Sequence, residues 1–92
     1  MKSLFAAFKT LKNVMSGEVV AEINTPANLG MTTMSLRLKR NTKSDEYYVV
    51  LAELSSGNYQ YISFTGDEFD QFFEAVSSTR KALLQRREAP KN

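Results

Sequence analysis

The sequence predicts an α+β domain: four antiparallel strands in the order β-β-β-β-α, a C-terminal amphipathic helix covering one face of the sheet, and a short helix ahead of it. Three observations carry this reading. Residues 32–40 alternate strictly, Met34, Leu36 and Leu38 against Ser35, Arg37 and Lys39, which is the period of a strand with one buried and one outward face. Clusters of breakers at 25–30 and 55–58 cut the chain into strand-length runs. Thr65-Gly66-Asp67-Glu68 has the form of a capping box, and the apolar spacing after it becomes helical.

The elements follow in order. Residues 1–16 place Leu4, Phe5, Phe8, Leu11 and Met15 at near-helical spacing, with Lys2, Lys9 and Lys12 off that stripe and Gly17 as a stop. They read as a short basic amphipathic helix that packs on this domain, on a second copy or on a protein partner. A membrane-surface or targeting segment, the mitochondrial kind included, and a disordered leader are the alternatives. Val19, Val20 and Ile23 suit a first strand over 18–24, and Thr25-Pro26-Ala27-Asn28-Leu29-Gly30 suits a loop after it. After the alternating second strand, 41–46 is a polar hairpin loop. Residues 47–54 are apolar on both faces, which predicts a central third strand. Ser55-Ser56-Gly57-Asn58 turns the chain into a fourth strand over 59–64, with Tyr59, Tyr61 and Ser63 on one face and Gln60, Ile62 and Phe64 on the other. In the long helix, Phe69, Phe72, Phe73, Val76, Leu83 and Leu84 form an apolar stripe. Acids gather at its start and Arg80, Lys81, Arg86 and Arg87 near its end, as the helix dipole favours. Pro90 opens a frayed tail, 89–92, so the organisation is a leader over 1–16, one domain over 17–88 and the tail.

Composition narrows the function. The chain has 92 residues, enough for one core, and four Tyr and six Phe supply bulky anchors. It contains neither cysteine nor histidine, so disulfides, a thiolate nucleophile, the usual ligands of zinc or haem and the commonest general base at neutral pH are all missing. The four glycines stand singly, which leaves no phosphate-cradling loop. Asp45, Glu46, Asp67, Glu68, Asp70 and Glu74 fall in a hairpin loop and a helix start, where solvated acids are ordinary. The expectation is a protein that is not an enzyme, with no metal and no cofactor. No apolar run is long enough for a transmembrane helix, and an intracellular, cytoplasmic or nuclear, location is expected.

The net charge of +2 decides nothing by itself. More informative is the sheet, where Arg37 and Lys39 are outward by alternation and Tyr47, Tyr59 and Tyr61 are read as sharing their side. Arg40 and Lys43 at the adjacent hairpin extend the charge. Cations neutralise phosphates and exposed tyrosines stack on bases, so this set of seven predicts a single-stranded DNA or RNA interface. The same residues also serve as cross-strand pairs on an exposed face, or as a homodimer contact.

Glu46-Tyr47-Tyr48-Val49-Val50-Leu51-Ala52-Glu53, Asn58, Ile62-Ser63-Phe64 and the helical run Glu68-Phe69-Asp70-Gln71-Phe72-Phe73 resemble the strand–strand–helix part of the Pur family of purine-rich-element binding proteins. More loosely they resemble the positive-cofactor-four group of coactivators. The resemblance covers less than half the chain. It implies a β-β-β-β-α unit that forms an intertwined homodimer and binds single-stranded nucleic acid on its sheet. The alternative is a non-enzymatic protein-interaction or scaffold module, either a small homodimer or a pleckstrin-homology-like binder of peptides or lipids, a fold that needs about seven strands.

Overall fold

The computed structural model describes residues 17–88. The helix expected over 1–16 and the tail over 89–92 lie outside the described residues. Within them the fold is α+β: strands β1 (Glu18–Ala27), β2 (Thr32–Arg40), β3 (Tyr47–Ser55) and β4 (Asn58–Phe64), then one helix, α1 (Gly66–Glu88). The sheet is an antiparallel meander in the order β1-β2-β3-β4.

β1 runs three residues past its expected end, through Thr25, Pro26 and Ala27. Proline ends a central strand because it has no N–H to give to the ladder. β1 is an edge, where a missing donor can face away from the sheet, and Pro26 pairs with Thr33. A register shift between Val19 and Ala21 kinks the same edge. The β1–β2 connection then puts Asn28 (φ 50°) and Leu29 (φ 56°) in the left-handed region, ahead of Gly30 (φ 83°). Leu29 is fully exposed there.

The β2–β3 loop closes on itself. The Asn41 N–H donates to the Glu46 carbonyl and the Asp45 N–H to the Asn41 carbonyl, both at 2.8 Å. The Asn41 Oδ1 accepts from the Lys43 N–H at 2.9 Å. The capping box forms as its sequence predicts: the Thr65 N–H donates to Glu68 Oε1 (2.9 Å) and the Glu68 N–H to Thr65 Oγ1 (3.2 Å).

Cross-strand partners share a face, so the register assigns every side chain. The first face carries Ala21 and Ile23, Leu36 and Leu38, Val49 and Leu51, Ile62 and Phe64. The second carries Glu22 and Asn24, Ser35, Arg37 and Lys39, Tyr48, Val50 and Ala52, and Tyr59, Tyr61 and Ser63. Burial inverts the expected polarity. Ser35, Ala52, Val50 and Lys39, on the second face, retain only 0%, 0%, 1% and 4% exposure, while Ile23, Ile62 and Leu38 on the apolar face retain 67%, 54% and 36%.

α1 does not cover the sheet as its stripe led one to expect. Phe64 stacks on Phe72 with centroids 5.1 Å apart and meets Phe69 edge-on at 6.0 Å, which anchors the first turns to the end of β4. No residue of the helix is buried, and Phe73, Val76 and Leu83 are about half exposed. The capping box sets the start of α1 one residue after β4, and Arg80 stands exposed between Val76 and Leu83. The longest dimension is accordingly 57 Å against 31 Å in the other two. The radius of gyration is 16.2 Å, where a compact domain of this size has about 12 Å.

Candidate nucleic-acid interface

The strand pairing brings together four of the seven residues singled out for nucleic acid. Lys39, Arg37, Tyr61 and Tyr59 lie on the second face, in successive rows from the β2–β3 hairpin toward the β3–β4 turn. Tyr47 does not join them. It pairs with Arg40 across the hairpin and so lies on the first face, with Val49 and Phe64. Tyr48, one residue on, is the tyrosine that pairs with Lys39. The signal for it was the hairpin itself: once 41–46 is the loop, Arg40 faces Tyr47 and the parity of β3 follows.

The cations differ sharply in availability. Lys39, expected to point outward, is buried, with its Nζ 6.0 Å from the centre of the Tyr48 ring. Burial, reinforced by the neighbouring Arg37 charge, lowers its pKa from the usual 10.5. Arg37 is about three-quarters buried; its Nε is 3.1 Å from Glu22 Oε1 and also donates to Ser35 Oγ at 3.2 Å. Arg40 is held at both ends, with Nη2 2.8 Å from Glu18 Oε2 and Nη1 2.6 Å from Asp45 Oδ1. Those two carboxylates raise its pKa further, the Glu18 hydrogen bond first. Lys43 is exposed at the tip of the β2–β3 loop.

The tyrosines of β4 are the accessible part. Tyr59 is 64% and Tyr61 37% exposed, two residues apart on an edge strand. Tyr59 pairs with Leu54 and Tyr61 with Ala52, so both stand in a stretch of sheet that carries no charge of its own.

Among the described residues, no group of three or more acids gathers at metal-binding distance, and no helix is long and apolar enough to cross a membrane. No family model, curated protein or solved structure matches the chain. The described residues form four strands.

Proposed function

We propose that this chain is a non-enzymatic interaction module whose working form is a homodimer, the helix of each copy lying on the open sheet face of the other. The observation behind this is that one chain exposes two apolar surfaces of matching kind. Ile23, Leu38 and Ile62 are open on the sheet, and Phe73, Val76 and Leu83 are open on α1. A chain that carries both halves of a contact is self-complementary, which is the condition for a closed two-fold pair. These six side chains are each about half exposed, so covering them in both copies stabilises the pair by about 0.7–1.5 kcal/mol apiece, on the order of 10–20 kcal/mol over twelve. That is of the same order as the roughly 4–15 kcal/mol that association costs in lost freedom, which makes a dimer in the micromolar range the expected outcome.

Sedimentation velocity across micromolar concentrations tests the reading. The expected result is a dimer that Ile62→Asp or Phe73→Asp converts to a folded monomer. A wild-type chain that stays monomeric at 100-fold the protein's working concentration sinks it.

A second reading, single-stranded nucleic-acid binding by the same module, is favoured by the exposed Tyr59 and Tyr61. Each stacked base contributes about 1–3 kcal/mol. With Lys39 buried and Arg37 and Arg40 paired, the phosphate contacts fall to Lys43 and to whichever arginine exchanges its carboxylate for a phosphate. Fluorescence anisotropy of a labelled single strand beside a duplex decides it. Preference for the single strand, lost in Tyr59→Ala/Tyr61→Ala, supports the reading, and indifference to that double change rejects it.

A further inference from the structure

Within the homodimer proposed above, on which the pairing rests, we infer that Arg80 of each copy meets Glu53 of the other, and that this reciprocal ion pair fixes how each helix is seated on the sheet. The starting point is a cation out of place. On α1, Phe69, Phe72, Phe73, Val76, Leu83 and Leu84 form one stripe, and Arg80, four residues after Val76 and three before Leu83, stands within it. Its helical neighbours three and four residues away are Val76, Ser77, Leu83 and Leu84, so no carboxylate of its own helix lies beside it. The pull of the helix C-terminus does not account for it either. That pull acts within the last turn, and Arg80 lies about two turns before Glu88. Arg80 is exposed and has no ion-pair partner among the described residues.

The open face of the sheet carries the complement. Glu53 pairs with Met34 on β2 and Gln60 on β4, which puts it on the same side as Leu51 and Ile62. The other charged strand residues of that face, Glu18 and Arg40, are already bonded to each other at 2.8 Å. Glu53 is exposed and, like Arg80, has no ion-pair partner among the described residues. The spacings match as well. Residues two apart on a strand are separated by about 7 Å, so Glu53 sits one such step from Leu51 and from the Ile62 beside it. Along a helix four residues rise about 6 Å and three about 4.5 Å. With Val76 or Leu83 set over Ile62, Arg80 therefore falls over the row of Glu53. An arginine enclosed unpaired in an apolar contact loses its water without return, and Glu53 is the carboxylate of that face left to receive it. Apolar side chains are indifferent to direction, so the guanidinium–carboxylate pair is what sets the register of helix on sheet.

Charge reversal in the full-length chain, read by sedimentation velocity, tests the pairing. Glu53→Arg and Arg80→Glu each set like charges against each other in both contacts, and either should raise the dimer dissociation constant by at least about 30-fold. Both positions are exposed, so both variants should keep the wild-type circular dichroism. Mixed 1:1, they form a pair in which both contacts again join opposite charges, and the dissociation constant should return close to that of the wild type. Lys81→Glu changes the net charge as Arg80→Glu does but lies one residue off the stripe, and it should leave Glu53→Arg without rescue. A wild-type dimer that survives either reversal, or a mixture no stronger than its components, overturns the pairing and leaves the dimer standing. Rescue by Lys81→Glu as complete as by Arg80→Glu overturns it too. A wild-type chain that stays monomeric removes pairing and dimer together.

Discussion

The two faces of one sheet differ in the opposite sense to their composition. The face with Ile23, Leu38 and Ile62 is open except at its centre, where Leu51 is buried, and the face with Ser35, Arg37, Lys39 and Tyr48 holds the most deeply buried of the described residues. The difference teaches that alternation fixes which side chains travel together, whereas burial depends on which layer arrives on each side. A helix leaving the end of β4 touches the apolar face where Phe69 and Phe72 meet Phe64, and then departs. Its stripe and the face it leaves are free for the same occupant.

The contrast can be broken or sharpened by substitution. The largest effect is expected at Ala52→Asp, which puts an unpaired carboxylate where nothing reaches water; urea denaturation should show a loss of about 3–5 kcal/mol. The matching change on the other face, Ile23→Asp, should move the stability of the monomer by no more than about 0.5 kcal/mol. Equal losses at the two positions would erase the asymmetry.

Next comes Thr65→Ala, which removes one arm of the reciprocal cap at the start of α1. A cost of about 1 kcal/mol is expected in the same denaturation series. A null result would mean that Phe69 and Phe72 alone hold the helix to β4.

Lys39 gives a pH signature of the closed face. Its folded-state pKa lies below the usual 10.5, so the unfolded chain binds that proton more tightly. Stability from this group therefore rises as the pH climbs from the folded value to 10.5, and it is flat below that window. The slope of stability against pH in this range should be steeper in the wild type than in Lys39→Met. Identical slopes would place the ammonium in water.

A small effect of opposite sign is expected at the β1–β2 connection, where Leu29→Gly relieves a left-handed, fully exposed leucine. A gain of up to about 1 kcal/mol should appear as a raised urea midpoint.

Most of the fold was legible because its signals are local. The alternation over 32–40 gave β2, the serine–glycine turn gave the β3–β4 hairpin, and Thr65 with Glu68 gave the start of α1. Pro26 misled because its effect depends on whether a strand is an edge, and edge position is a property of the whole sheet. Tyr47 was misassigned for a related reason. β3 is apolar on both faces, so nothing within it marks parity, and only the hairpin pairing with Arg40 does. Burial of Lys39 was illegible in β2 itself, since the alternating pattern reads the same whichever side is covered.

The edges of the sheet are guarded unequally. β1 carries Pro26, a register shift at Val19 and Ala21, and the carboxylates of Glu18 and Glu22, all devices that discourage another strand from hydrogen-bonding alongside. β4, Asn58–Phe64, has no proline and no charge, and its pairing with β3 runs without a shift. Backbone ladders that extend this sheet, whether in a productive assembly or in aggregation from a partly unfolded chain, will therefore start on β4.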